Sequence, residues 1–470
     1  MNRCSLLQLV NRMAEDFPDS PIFCTYVKNQ LHALTFQDVR NNSAFALLTF
    51  SALPEQRIGL IGVNTPEWIT TLIGLTAAGK TTALLDPLIS EENLEALIER
   101  SELEALVCDS ETYEDISVLM ASRQKVRVLP FPDYASLPGT PLPLSGSRPE
   151  GDLLVYTSGT TRASKICVTP ISSLLSHRHE LCPMMHIETG SLSLFPLPLH
   201  HSFGIGSMLS AFEKQIPLVI CSMKYAPRLL RRLPCEGLFA VAHLVSHLLD
   251  SGEMPPTLKH IMIGGSRCTQ ELADRCLDQG IEIQNDYGSS ELAGGVMMTM
   301  DAGHIDELTP HPGIAAELSD DGELLITTPH HMKKYYDMPE ETAQLLHGDT
   351  LHTGDAARIT PAGTVILEGR KKDTLVLETG EKIYLPEVDD ILAGFDGAKE
   401  AALVFASGKL TAFFSCRPED ESRLQTQLSA YNAAQPLHRR ITDIRFSEIP
   451  FPRTSSGKLL RRELEMLASG

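Results

Sequence analysis

Positive charge is in short supply: 40 lysines and arginines face 60 aspartates and glutamates, a net charge of -20. That balance argues against nucleic acid as a partner, and it means that any phosphate-bearing ligand must be met by local positive charge. No continuous apolar run approaches the length of a membrane-spanning helix, so no transmembrane segment is expected. The apolar start at Leu6, Leu7, Leu9 and Val10 is broken by Gln8 and Asn11, and reads as an amphipathic helix rather than a signal peptide. The ten cysteines include no Cys-x-x-Cys pair and sit in apolar contexts, such as Cys108 after Val107 and Cys221 after Ile220. Buried reduced thiols and a cytoplasmic location are therefore expected. The Ser/Thr/Gly-rich stretch 157–165 lacks the Walker pattern, a glycine and four residues before Gly-Lys-Ser/Thr. That argues against reading it as the phosphate loop of a P-loop NTPase or kinase. No internal repeat or low-complexity tract stands out.

What is present centres on residues 153–170, LLVYTSGTTRASKICVTP. Residues 153–156 form a short apolar run of strand type that feeds into small and hydroxylated residues. Such residues pack poorly but offer closely spaced backbone N–H groups, which form an anion-binding concavity. The donors are the backbone of Thr157, Ser158, Gly159, Thr160 and Thr161, the hydroxyls among them, and the point charge of Lys165. Phosphate suits this loop.

With 470 residues the chain exceeds one comfortable core, and about two to four domains or subdomains are expected. Thr35 and Asp38 fit a capping box for a helix running towards Phe50. Strands at 58–63, 82–85 and 103–108 then alternate with helices at 67–78 and 91–100, the second capped by Ser90, which is α/β alternation. Six prolines within 130–149 mark a connecting segment. A second α/β layer follows over 172–263. From Gly322 short strands separated by Asp-Gly and Ala-Gly turns replace it, as in a small barrel-like β region. The last hundred residues return to a small α+β unit.

Further polar stretches exceed what a fold requires: the paired His200 and His201 before Ser202, Phe203 and Gly204; the turn Gly264, Gly265, Ser266; the run DYGSSE at 286–291; Thr353, Gly354 and Asp355; Gly369 and Arg370; and Ser455, Ser456, Gly457 and Lys458. Their order and spacing resemble the adenylate-forming superfamily of acyl-CoA synthetases, peptide-synthetase adenylation domains and firefly-type luciferases. The resemblance runs from the NTPE and LDP motifs at 64–67 and 85–87 to Lys458, nearly the whole chain, and includes GELLI at 322–326 with Met332, Tyr335 and PEET at 339–342.

The resemblance implies an α/β fold with a large N-terminal part, residues 1–370, made of α/β layered subdomains and the barrel-like region. A small mobile α+β domain, residues 371–470, would carry the reactive lysine. The implied cofactors are ATP and Mg2+. Residues 157–161 with Lys165 would hold phosphate, and Tyr287 would stack on adenine beside Asp286 and Gly288, with Gly264, Gly265 and Ser266 closing over the other face. Asp355 would accept the ribose hydroxyls, with Arg370 donating nearby. Glu291 and Thr160 would hold magnesium, with Ser290 keeping the hydroxyl of the usual threonine, and His201, Glu291, Thr160 and Lys458 would attend the chemistry. Arg162, Ser164 and Ile166 depart from the family's glycine, proline and glycine. Amino-acid-activating members carry an aspartate in the segment matching 200–204, which this chain lacks, so a carboxylic acid without an α-amine is favoured over an amino acid. The stretch 369–383 resembles the fatty-acyl branch more than aryl ligases. The acceptor would be CoA or the phosphopantetheine of an acyl carrier protein; a nucleotide-binding protein without catalysis is the other functional class. Arg439, Arg440, Arg461 and Arg462 offer either a basic patch for that acceptor or a solvated face.

Overall fold

The computed structural model describes residues 5–121, 126–137, 144–145, 149–157, 165–371, 374–376, 382–406, 408–452 and 459–469. Two extended sheets form the large part. In the first, the parallel strands Arg127–Pro130, Ala105–Cys108, Arg57–Ile61, Thr81–Leu85 and Asp152–Tyr156 lie side by side, and Ile166–Pro170 closes the order antiparallel, with Lys334–Tyr335 beyond it. The strands Arg57–Ile61, Thr81–Leu85 and Ala105–Cys108 are almost wholly buried, as expected of parallel strands covered on both faces.

Helices between them start where the sequence supplies caps. Thr35 Oγ1 accepts the Asp38 N–H and the Asp38 carboxylate accepts the Thr35 N–H, opening Phe36–Ser51 with a full capping box. Pro66–Ala77 begins with proline after a Thr65 cap. Gly74 lets these two helices touch, since a Cβ there would lie 2.3 Å from that of Ala46. Ser90 does occupy the cap of Glu91–Arg100, but its side chain makes no capping hydrogen bond. Leu6–Asp16 is the amphipathic helix expected, and Glu150 seals its start by accepting from Ser5 Oγ and the N–H groups of Leu6 and Leu7.

The second sheet has a parallel half, Leu218–Ile220, Ser193–Phe195, Gly237–Ala240, His260–Gly264 and Glu282–Ser289. It turns antiparallel at Gly294–Thr299 and Glu307–Pro310 and runs on through Val365–Arg370, Thr350–Ile359, Glu323–Thr327 and Ala315–Leu318. The β region after Gly322 is thus continuous with the second layer. At its other edge the hairpin Pro21–Val27 and Gln30–Thr35 is added from the start of the chain.

The C-terminal unit has its own sheet, with Glu400–Ala406 antiparallel to Lys409–Ser415 and Asp443–Ser447 parallel to the latter. Strand alternation gives it two cores. Leu403 packs with Leu392, Leu424 and Leu428 of the helices Leu385–Ala393 and Glu421–Ala434, while Ala402 and Val404 face Phe451 and Leu464.

Candidate active site

The expected phosphate loop joins two antiparallel strands, with Tyr156 opposite Ile166. Its neck is pinned twice: the Thr157 N–H donates to the Lys165 carbonyl at 2.9 Å, and the Lys165 N–H donates to Thr157 Oγ1 at 3.0 Å. A Walker loop leads from strand into helix, which this loop does not. The Walker spacing itself occurs at 74–81, GLTAAGKT, but there it runs from the end of the helix Pro66–Ala77 into the strand Thr81–Leu85, and Lys80 is buried with Nζ donating to the Leu53 carbonyl at 2.7 Å. Ser158, Gly159, Thr160 and Thr161 lie outside the described residues, as do Lys458 and, in the linker, Lys372 and Asp373.

Lys165 extends from this neck to place Nζ 4.5 Å from the centroid of the Tyr335 ring, a cation–π contact. Tyr335 in turn donates its hydroxyl to Glu291 Oε1 at 2.7 Å. Burial, then the Glu291 charge, pushes the Tyr335 phenol up, so it stays a donor. The backbone of Met332 binds the Glu291 carbonyl at 2.9 Å. Lys165 and Glu291 are therefore linked through Tyr335.

A second chain of contacts starts on Glu282–Ser289. Tyr287 donates its hydroxyl to Asp355 Oδ2 at 2.5 Å, and Arg370 Nε lies 3.0 Å from Asp355 Oδ1. Pairing of Thr350–Ile359 with Val365–Arg370 sets Asp355 opposite Arg370, so the ladder register itself makes the ion pair. Asp355 is buried, and burial raises its carboxyl while Arg370 pulls it down. Gly354, at φ +72°, donates its N–H to Glu323 Oε1 at 2.8 Å, and Thr353 Oγ1 accepts the Asp355 N–H at 3.1 Å. The strand segment presenting Asp355 is thus held by Glu323 and by the Thr353 hydroxyl.

The two histidines sit with ring centroids 4.4 Å apart, His200 Nε2 being 3.9 Å from Asp86 Oδ2. Burial, and then the neighbouring ring, pushes His200 down to about 4, and burial lowers His201 as well, so both rings are neutral at pH 7. His201 occupies the cap position of Ser202–Glu213, and Ser202 Oγ lies 3.2 Å from Ser290 Oγ. Gly264 presses on Phe203, where a Cβ would lie 2.6 Å from the ring, and Gly265 has φ +71°. Ser266 Oγ accepts the Ala242 N–H at 3.2 Å, so this hydroxyl is engaged with the start of the neighbouring helix Ala242–Asp250.

Asp286 departs from its expected company. Alternation along the strand turns its carboxylate to the face opposite Tyr287, where it is buried 3.9 Å from the Arg178 guanidinium. Arg461 departs as well, because it is paired with Asp389 and bonded to the Leu403 carbonyl inside the C-terminal unit and leaves the basic patch depleted. Sequence reasoning left Glu323, Tyr335 and Arg178 out of the site. Arg178 carried a readable signal, since Leu174, Leu175, Arg178 and Leu181 fall on one helical face.

The nine described cysteines are free, eight buried and Cys182 half-buried, and burial raises their thiols. No described helix is long and apolar enough to cross a membrane, and the described residues contain no cluster of three or more metal-ligating side chains.

The family described as AMP-binding enzyme matches residues 10–336. The chain is similar to a feruloyl-CoA synthase of an Amycolatopsis species, 26% identical over 94% of this chain and 95% of that one. It is also similar to a fatty acid–[acyl-carrier-protein] ligase of Streptomyces coeruleorubidus, 24% identical over 98% and 96%. Among solved structures, a benzoate CoA ligase from Burkholderia xenovorans matches with TM-score 0.81 and 19% identity, covering 98% of this chain and 99% of that one. An anthranilate CoA ligase in complex with anthranoyl-AMP gives TM-score 0.82 at 18% identity, covering 98% and 97%. Fold and chain length agree throughout.

Proposed function

The chain belongs to the AMP-binding enzyme family and is an acid–thiol ligase of the AMP-forming type; from that premise we propose that it activates a fatty acid with ATP and passes the acyl group to the thiol of CoA or of a carrier-protein phosphopantetheine. The observation that carries this reading is the convergence of Tyr287, Asp355 and Arg370 in one hydrogen-bonded chain. Beside it Lys165, Tyr335 and Glu291 form a second. The first offers an aromatic face, a carboxylate for two hydroxyls and a guanidinium, which is the chemistry of a nucleoside. The second offers a cation for phosphate.

In the first half-reaction an acid oxygen attacks the α-phosphorus of ATP, the bond to the β-phosphate oxygen breaks, and pyrophosphate leaves. An ionised acid needs no base, so the site's task is to screen two anions from one another. Lys165, Arg370 and, from the C-terminal unit, Lys458 do so. Glu291, with Thr160, is the residue that would hold magnesium, since carboxylate and hydroxyl oxygens suit a hard cation. Magnesium, when bound, supplies Lewis-acid screening of the phosphates. In the second half-reaction the thiol sulfur attacks the acyl carbon, AMP leaves, and the thiol proton passes to solvent.

The neutral His200 and His201 support an acid without a charged amine, as does the absence of a carboxylate among residues 200–204. The stretch 369–383 supports a fatty acid over an aryl acid. Residues 1–370 would bind ATP and acid, and residues 371–470 would bring Lys458 to them in a cytoplasmic enzyme. Exchange of labelled pyrophosphate into ATP, run with fatty, aryl and amino acids, tests the proposal. Exchange dependent on fatty acids supports it, exchange with aryl acids alone reassigns the substrate, and exchange with none leaves a nucleotide-binding protein.

A further inference from the structure

Behind the strand that carries Tyr287 lies a buried ionic cluster with no place in either half-reaction. Arg178, on the helix Ile171–Leu181, is 1% exposed, Asp286 2% and His311 1%. Arginine is almost never buried this deeply unless its charge is paired. Its guanidinium is received by glycines of two other elements. A Cβ on Gly206 would lie 3.5 Å from Nη1, and one on Gly294 only 3.2 Å from Nη2. A side chain at Gly294 would crowd the group, while one at Gly206 would start in ordinary contact with it.

The contacts of this cluster fall on both sides of one irregularity. Strands Glu282–Ser289 and Gly294–Thr299 pair Tyr287 with Met297 but Gly288 with Gly295, so Val296 is an extra residue, a β-bulge. A bulge bends the strand that carries the extra residue, here Gly294–Thr299, and Tyr287 lies on the facing strand where the pairing shifts, so the bulge sets the surface against which Tyr287 is presented. Arg178 Nη2 donates to the Gly295 carbonyl at 2.5 Å, just before the extra residue, while Nη1 lies 3.9 Å from Oδ2 of Asp286, directly before Tyr287 on the facing strand. The carbonyl of Val296 accepts the His311 N–H at 2.9 Å, and His311 Nε2 is 4.0 Å from Asp286 Oδ1. Ala293 and Gly294, in the turn that also carries Glu291, have φ of +57° and +111°. Glycine takes such angles freely, but at Ala293 they persist only where the surroundings over-determine the backbone.

We propose that Arg178 is a positioning residue for the nucleotide site, clamping with Asp286 and His311 the bulge that aims Tyr287 at Asp355 and sets the turn of Ser290 and Glu291. Burial and then the Arg178 charge lower His311 to about 2, so it is neutral and adds no second positive charge beside Arg178. Burial pushes Asp286 up to about 7 while Arg178 pulls it down. The clamp works from the face opposite the ligands and touches no reacting atom. It rests on the reading of Tyr287 as a nucleotide-facing residue.

Removing one partner strands a buried charge, so the informative variant removes both, Arg178→Met with Asp286→Leu, because apolar groups of similar volume often replace a buried pair without loss of stability. In pyrophosphate exchange the double variant is expected to lose about 10- to 100-fold in kcat/KM for ATP, the range for a displaced binding group, with the KM for the acid unchanged. Unchanged ATP kinetics, or an equal loss for ATP and acid, overturns the clamp. Absence of exchange in the parent overturns the reading of the site itself. Hydrogen exchange on the unliganded parent decides the matter should the double variant not melt cooperatively. Amides of residues 293–297 as slow as the strand His260–Gly264 support a preset bulge, and amides as fast as an exposed turn overturn it.

Discussion

Tyr287 combines two functions that one substitution separates. Its ring offers a stacking face, and its hydroxyl is committed to Asp355 at 2.5 Å. Tyr287→Phe keeps the ring and leaves the buried Asp355 with one donor fewer, a change worth about 1 to 3 kcal/mol when an acceptor is stranded. The KM for ATP should rise about 5- to 100-fold with kcat nearly constant, measured by pyrophosphate exchange. An unchanged KM would show that the hydroxyl serves Asp355 for stability alone. Glu291→Gln tests the metal assignment differently: an amide oxygen is a poorer ligand for a hard cation, so the magnesium concentration for half-maximal activity should rise. Saturation at the parental concentration would mean that Glu291 serves only to hold Tyr335. Asp286 shows where motif reading stops at this scale. Read along the chain, Asp286 and Tyr287 are neighbours in one motif, yet a strand sends adjacent side chains to opposite faces, and only Tyr287 meets Asp355.

Among the elements, the loop between Asp152–Tyr156 and Ile166–Pro170 is held at its neck by Thr157 Oγ1, which accepts the Lys165 N–H. Thr157→Val has the same shape without that acceptor, and one such bond is worth about 1 kcal/mol, so kcat/KM for ATP should fall about fivefold. Thr157→Ser should restore it, and equal activity in all three proteins would free the neck of any role. Much of the element order is legible because its causes are local. The Thr35 capping box, Pro66 at a helix start and the apolar run of 153–156 each act within a few residues. The hairpin Pro21–Val27 and Gln30–Thr35 went unread, although Lys28 and Asn29 at φ +51° and +65° form the kind of turn asparagine favours. Continuity of the last strands with the second layer was not legible, because pairing Glu307–Pro310 with Val365–Arg370 joins segments far apart in the chain. Nothing within either segment specifies the other. Arg178 was hidden by its polar neighbours His177 and His179, whose run suggests a surface while the helical period suggests a core.

The molecule as a whole should be sensitive to mild acid. Burial lowers His177 to about 3, His200 to about 4 and His311 to about 2, all below the unfolded value of 6.5. The unfolded chain therefore takes up these protons first, so stability is full above about pH 6.5 and is lost as pH falls towards the folded values. Asp286, raised from 3.8 to about 7, acts in the opposite sense, since the folded state holds its proton longer. With His201 four rings are lowered, against the rise of Asp286 and the smaller rises of Asp355, Asp389 and Asp390, so Tm should drop between pH 7 and pH 5, and the drop should shrink in His177→Gln. A Tm flat across that range would mean that the rings are charged or exposed in solution.

The two half-reactions make the last demand on the whole molecule. Lys458 belongs to the C-terminal unit, whereas Tyr287, Glu291 and Lys165 belong to the large part, so we propose that the unit closes for adenylation and turns aside for thiol attack. The described ion pairs of Arg267 and Lys371 are compatible with this. Arg267 and Asp390 pair at 3.1 Å with 56% and 62% of their side chains exposed, and such solvated pairs hold weakly. Lys371 pairs with Glu323 at 3.0 Å and with Asp321, which ties the start of the linker to the large part. A turn of this kind needs only a few backbone dihedrals at an element end. Lys372→Pro fixes φ there and removes an N–H, so it should slow thioester formation from preformed acyl-adenylate while largely sparing pyrophosphate exchange. Lys458→Ala should do the reverse, cutting exchange by the ~10² to 10³ typical of one lost transition-state donor and sparing thioester formation. Assaying each variant in each half-reaction gives four rates. A crossed pattern is expected, and proportional losses in both variants would mean that one fixed arrangement serves both steps.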